Sequence, residues 1–113
     1  MPTSLFIASR KLIAIDTSGR ESGITVAIGT PYEVDSLSWA CPVVLEGMHD
    51  RLADQHGIDS WQALQLAYQL IAQLLAYFVE DGGVLLWPEE REPVNIAELL
   101  PVLRNSSNAK NDA

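Results

Sequence analysis

From Ser60 to Val79 the chain runs twenty residues without a charged side chain. At about 100° per residue, Gln62, Gln65, Gln69 and Gln73 fall within an arc of about 80° of a helical cylinder. Everything else on that cylinder is apolar or Tyr, apart from Ser60 in the first turn. Asp59 stands where an N-cap is needed, and Gln62, three residues later, completes a capping-box-like pair. Gly82-Gly83 follows as a stop signal. The pattern predicts one long helix over Ser60–Val79. A surface helix shows a much wider polar face than this one. One sheet covers only one side of a helix, so the remaining apolar surface requires a second cover. The C-terminal segment, a second subunit, or both would supply it.

The same stretch is long enough to span a bilayer. Its four glutamines are costly in lipid, and Glu80 and Asp81 follow it with no Lys or Arg nearby. It therefore reads as a buried helix of a soluble protein. The N-terminus places Arg10 and Lys11 after the short apolar run Leu5–Ala8, the reverse of a signal peptide. A cytoplasmic protein with a reduced Cys41 and no membrane association is the expectation.

Upstream, the period changes from 3.6 to two. Leu5–Asp16 is rich in Ile, Leu and Phe, and Asp16–Gly23 is a turn cluster. Gly23–Thr30 alternates cleanly, with Ile24, Val26 and Ile28 on one face. Two such runs around a Gly/Ser turn predict an antiparallel hairpin. Leu37–Leu45 resumes the alternation with Leu37, Trp39, Cys41 and Val43 on one face. Pro42 cannot donate to a ladder, which makes this an edge strand or a bulged one. Gly47–Gly57 is polar and has room for one helical turn. Val84–Trp87 reads as a fourth, short strand. The fold class expected is α+β: an antiparallel meander packed on one long central helix, in the order β-β-β-α-β, with a C-terminal helical arm.

A 113-residue chain suits one domain, here residues 1–88. Residues 89–104 form a proline-bounded linker and a short amphipathic arm, helical up to Leu100 because Pro101 breaks the ladder. Residues 105–113 are a polar tail without apolar anchors, expected to be disordered. Fifteen acids against seven bases give a net charge of −8, which disfavours nucleic acid at long range. The single cysteine rules out an internal disulfide framework and a Cys-rich zinc module.

Three segments, followed by Leu86-Trp87, carry a resemblance. They are Val26-Ala27-Ile28-Gly29-Thr30-Pro31, Trp39-Ala40-Cys41-Pro42 and Gly57-Ile58-Asp59-Ser60-Trp61-Gln62-Ala63-Leu64-Gln65-Leu66-Ala67. Together they resemble a family of small bacterial domains with no established activity, over residues 8–88. The resemblance implies a small α+β domain and no catalytic role. The segment after Pro88 looks individual to this chain.

The chemistry-bearing residues form no strong motif. Cys41 with His49 or His56 is the one thiol–imidazole combination, but Cys41 shares the strand phase of core residues and has no catalytic flanking sequence. His49, Asp50, His56 and Asp59 lack a recognised zinc spacing, and Asp59 already caps the helix. Asp35, Glu46, Asp50, Asp54 and Asp59 read as loop acids of an acidic protein. Gly19, Gly23, Gly29 and Gly82-Gly83 form no phosphate-binding fingerprint. No catalytic residue, metal ligand or cofactor site is assigned.

What remains is surface. Trp61, Tyr68 and Leu75 on the long helix, with Ile96, Leu99, Leu100 and Leu103 on the arm, are the expected interface. The arm, with Val102, would lie on its own subunit or exchange onto a partner. The expected function is a non-catalytic, homodimeric protein-interaction module that also binds an unidentified protein. The first alternative is a nucleic-acid-binding regulator using Arg10, Lys11 and Arg20, the possible anion contacts, on a dimer. The second is a small enzyme or metal site around Cys41, His49 and His56.

Overall fold

The computed structural model describes residues 6–99. The long helix forms as its sequence dictates: α1 spans Ser60–Glu80 and Asp59 is its N-cap. The Asp59 carboxylate accepts from the Gln62 N–H at 2.8 Å, while the Gln62 side chain accepts from the Ile58 N–H at 2.8 Å. The capping pair is thus present, with its second bond displaced to the residue before the cap. At the other end, Gly82 takes φ +106°. The Gly83 N–H donates to the Phe78 carbonyl and the Gly82 N–H to the Val79 carbonyl. This is the Schellman arrangement that satisfies the last carbonyls.

The described residues form seven strands in two antiparallel sheets. The larger has the order β5-β2-β1-β7, built from β1 (Phe6–Ile15), β2 (Glu21–Gly29), β5 (Val43–Glu46) and β7 (Val84–Leu86). The smaller has the order β3-β4-β6, built from β3 (Tyr32–Asp35), β4 (Ser38–Cys41) and β6 (Gln55–Gly57). The predicted hairpin is β1–β2, paired from Phe6↔Gly29 to Ile15↔Glu21. Its turn is organised by Asp16, whose carboxylate accepts from the Ser18 N–H, the Ser18 hydroxyl and the Arg20 N–H. The predicted strand after the helix is β7, which lies antiparallel on β1 through Ala14↔Leu85. The α+β class and the long helix therefore stand.

Two details of the meander differ. Leu37–Leu45 is two strands: β4 belongs to the small sheet and β5 to the large one, with Pro42 at the crossing between them. A residue without an N–H suits the point where the chain leaves one ladder for another. Gly47–Gly57 ends in β6, paired with β4 through Trp39↔Gly57 and Cys41↔Gln55, where one helical turn was expected. The split also moves Leu37 out of the core phase into the β3–β4 turn, where it is 80% exposed.

One contiguous core joins the layers. Leu12, Ala14, Ile24, Val26 and Ile28 of the large sheet meet Ala63, Ala67, Ile71 and Leu75 of α1 and Cys41 of the small sheet. The second cover that the helix required is thus the small sheet: α1 packs on β4 and β6 as well as on the large sheet. Close approach there depends on small residues. A Cβ added to Gly57 would lie 2.6 Å from the Ala63 nitrogen. The connector after Pro88 folds back on β7, with a Leu86↔Pro93 bridge and the Val94 N–H donating to the Leu85 carbonyl at 2.8 Å. Arg91 and Glu21 form a bidentate ion pair across this junction at 2.9 and 3.0 Å. The four-residue helix α2 (Ile96–Leu99) follows, and Val94, Ile96 and Leu99 pack against the same core. No helix among the described residues is long and apolar enough to cross a membrane.

Candidate functional site

The expected surface residues separate into different environments. Leu75 has no exposed area and is part of the molecule's own core, which removes it from any exposed interface. Ile96 and Leu99 are half-buried against that core. Leu100 and Leu103 lie outside the described residues. Trp61 and Tyr68 are exposed, at 72% and 38%. The glutamine stripe faces outward, and the Gln73 amide donates to the Tyr77 hydroxyl at 2.9 Å.

The basic residues do not converge. Arg10 and Lys11 lie at the middle of β1, while Arg20 lies beyond its far end in the hairpin turn. Arg10 and Ile15 are five residues apart on one strand, about 17 Å at 3.4 Å per residue. Arg10 stacks on the Trp87 ring, 4.5 Å from its centroid. Glu89 and Glu90 share the surface depression of Arg10, Lys11 and Trp87, so local charge there is balanced.

Cys41 is inaccessible, and its thiol is directed at the Gly29 carbonyl at 3.5 Å. Burial, with Asp54 nearby, pushes the thiol pKa up, away from the thiolate that nucleophilic chemistry requires. His49 and His56 are both exposed. Among the described residues no three His, Cys, Asp or Glu side chains converge on a position for a metal ion.

A different cluster does form. Among the described residues the three most exposed large apolar side chains are Leu37 at 80%, Trp61 at 72% and Ile58 at 71%. The Trp39↔Gly57 pairing places Leu37, two residues before Trp39, at the same end of the small sheet as Ile58, one residue past Gly57. Trp61 stands in the first turn of α1, which starts there. Val34 on β3 adds a fourth exposed apolar side chain. Acids surround this end: Glu33 opposite Trp39, Asp35 in the β3–β4 turn and Asp59 at the helix cap are all exposed. The Asp35 carboxylate accepts from the Leu37 N–H at 2.8 Å and the Ser38 hydroxyl at 3.1 Å, which holds its pKa below the usual value. None of these three acids is in an ion pair with another described residue.

The sequence reading found Trp61 but missed Leu37 and Ile58. Leu37 fitted the alternation of the strand that follows it. The available signal was Asp35-Ser36-Leu37-Ser38, in which an Asp two residues ahead of an N–H can form an Asx turn and take Leu37 out of the ladder.

A second apolar feature is a cleft of about 330 Å³ between the large sheet and α1. Ile7 and Ile28 line it from the sheet, Leu64, Tyr68 and Ile71 from the helix, and Leu99 from α2.

No curated protein and no solved structure matches the chain. One family's sequence model does, and its span runs from β1 through the connector to the first residue of α2, taking in the segment that folds back on β7. On that match, over residues 8–96, the chain belongs to the family described as a domain of unknown function, DUF6968.

Proposed function

We propose that this protein is a non-catalytic interaction module that docks a partner protein at the Leu37–Ile58–Trp61 end of the small sheet. The observation that carries this reading is three large apolar side chains, each more than 70% exposed, gathered where one sheet end meets one helix end. Exposed apolar groups of this size with a polar rim are the composition of a binding surface, and Trp is the residue type most enriched at energetic centres of interfaces. The rim of Glu33, Asp35 and Asp59 favours a partner with an apolar segment flanked by Lys or Arg.

Selection of a random displayed peptide library on the native protein tests this. Enrichment of apolar peptides flanked by basic residues, lost on Trp61→Asp or Leu37→Asp, supports the reading. Selected peptides that bind both variants as well as the native protein overturn it.

A second reading is a homodimer, and it draws on a different observation. Trp61 and Tyr68 stay exposed on α1 seven residues apart, hence on nearly the same side of the helix, with Gln65 between them. Two copies pairing along this stripe would bury the aromatics and pair the glutamines. Light scattering at tens of micromolar distinguishes a dimer of 24.8 kDa (twice 12.4 kDa) from the monomer.

A further inference from the structure

Strand β1 is paired along its whole length on one side and along only part of it on the other. It pairs with β2 from Phe6 to Ile15, whereas β7 reaches only Ile13, Ala14 and Ile15. Among the described residues, nothing pairs with residues 7–11 on the β7 side, and all five are exposed. The neighbouring bonds fix where the backbone groups of this stretch point. The Val94 N–H donates to the Leu85 carbonyl at 2.8 Å and the Trp87 N–H to the Glu92 carbonyl at 2.9 Å, so Leu85 and Trp87 turn their polar groups away from β1. Val84 and Leu86 therefore turn theirs toward Ile15 and Ile13, with which they pair. On the opposite side the Asp16 N–H donates to the Arg20 carbonyl, which gives the even-numbered residues of β1 to β2. Both observations leave the N–H and C=O of Ser9 and Lys11 aimed at the uncovered side. The outer edges are better guarded: β3 is four residues long, bulged and carries Glu33 and Asp35, and β5 is four residues long and ends in Glu46.

We propose that residues 7–11 of β1 are a strand-addition site for an extended peptide that carries a large apolar residue and, two positions away, a single acid. An extended backbone is what satisfies a row of strand N–H and C=O groups. The stretch offers it about 17 Å, five residues at 3.4 Å each. Period two puts Ala8 and Arg10 on the face of Leu12 and Ala14, toward α1. Ala8 opens onto the apolar cleft that Ile28, Leu64 and Tyr68 also line, which gives the peptide residue beside it an apolar pocket. Arg10 stacks on Trp87 and forms no ion pair with a described residue, so the peptide residue beside it is Asp or Glu. Glu89 and Glu90 share a depression with Arg10 and Lys11, and the net charge is −8, which disfavours an acidic run and limits the peptide to one acid. A second copy fits less well. Antiparallel pairing of two β1 strands about Ser9 makes the two Arg10 residues diagonal neighbours on one face, about 7–8 Å apart. Lys11 is the kind of charge that guards an edge against such pairing. None of these residues belongs to the Leu37–Ile58–Trp61 surface, so the proposal does not rest on that reading.

The test uses the full chain and two synthetic peptides, Thr-Thr-Leu-Thr-Glu-Thr-Thr and its reverse, Thr-Thr-Glu-Thr-Leu-Thr-Thr, which serve the two possible strand directions. Titration with one of them is expected to saturate, to move the Ile28 and Ile71 methyl resonances, and to slow exchange of the Ser9 and Lys11 amide protons several-fold. Ser9→Pro removes a donor that faces the peptide and spares the β1–β2 ladder. It is expected to weaken the peptide about tenfold while the β1–β2 amides keep their protection. If that variant folds poorly, Arg10→Glu serves instead and is expected to reverse the preference for Glu over Lys in the peptide. Failure of both peptides to saturate overturns the proposal, as does equal binding to Ser9→Pro or an unchanged preference in Arg10→Glu. Slow exchange of the Ser9 and Lys11 amides in the free chain also overturns it, because the edge is then already occupied. A dimer that Ser9→Pro dissociates overturns it and assigns the edge to a second copy.

Discussion

Strands β2 and β3, one in each sheet, treat apolar residues in opposite ways. In the large sheet, β2 buries Ile24, Val26 and Ile28 against α1, and β1 adds Leu12 and Ala14. In the small sheet every residue of β3 is exposed, Tyr32 and Val34 included, and Leu37 in the following turn is the most exposed large apolar residue described. Only β4 and β6 of that sheet touch the helix closely. The difference separates apolar residues that hold the fold together from apolar residues that the fold presents. Only the second group is free to bind something else.

The widest gap should appear between Leu75 and Trp61, two large apolar residues on one helix. Leu75→Ala leaves a cavity at a site with no exposed area and should cost about 2–5 kcal/mol of stability. Trp61→Ala, at a site 72% exposed, should stay within about 0.5 kcal/mol in denaturant unfolding while abolishing partner binding. A loss of several kcal/mol on Trp61→Ala would break the comparison, because Trp61 would then belong to the fold.

The junction between small sheet and helix sharpens it. Gly57→Ala would set a methyl group 2.6 Å from the Ala63 backbone nitrogen, which cannot rotate away. We expect a loss of about 1–3 kcal/mol by overpacking. Thermal melts of this variant beside Gly23→Ala, where an added Cβ meets nothing within 4 Å, check the assignment to crowding. Gly23→Ala should be neutral or slightly stabilising, because alanine lowers the entropy of the unfolded chain, so an equal loss at both positions would remove crowding as the cause.

What could be read from the sequence follows from how local each determinant is. The helix, its cap at Asp59 and its stop at Gly82 depend on neighbours within four residues, and all three were legible. The β1–β2 hairpin was legible for the same reason, with Asp16 organising its own turn. The division of Leu37–Leu45 was not, because alternation is blind to which sheet a residue joins: Cys41 and Val43 are both buried, one in each sheet. Strand β6 was hidden too. Gln55–His56–Gly57 has no strand propensity and is extended because β4 offers it a ladder. The exposed cluster inherits both gaps, since Leu37 and Ile58 meet only through the β4–β6 pairing.

The cap tests the same junction from the helix side, at smaller scale. Asp59→Ala removes the acceptor for the Gln62 N–H and should cost about 1 kcal/mol. It also removes a rim charge, so binding of a basic-flanked peptide should weaken beyond what the loss of stability explains. Asp59→Ser, which keeps a capping oxygen without the charge, should restore stability and leave binding weak. Recovery of both together would mean that the cap matters only for the fold.

The smallest effect concerns pH and contrasts the two hairpin turns, one in each sheet. Asp16 and Asp35 are both held below the ordinary carboxyl pKa. For Asp16 the main cause is the Ser18 hydroxyl, followed by the Arg20 N–H. For Asp35 it is the Leu37 N–H, followed by the Ser38 hydroxyl. A depressed folded-state pKa contributes stability above the unfolded carboxyl value of about 3.9, and that contribution is lost as pH falls through the lower folded value. Both turns should therefore weaken only in acid. They should weaken differently, because the Asp16 turn joins the paired strands β1 and β2 over a shared core, and the Asp35 turn joins β4 to a fully exposed β3. Opening the second is a local event, while opening the first requires the core to part. Amide hydrogen exchange below pH 4 should show Leu37 losing protection while the β1–β2 amides keep theirs, and Asp35→Ala should produce the same local loss at neutral pH. Simultaneous loss at both turns would mean that the small sheet shares the cooperativity of the large one. The exposed apolar end would then be held as rigidly as the core, and ready to bind without prior ordering.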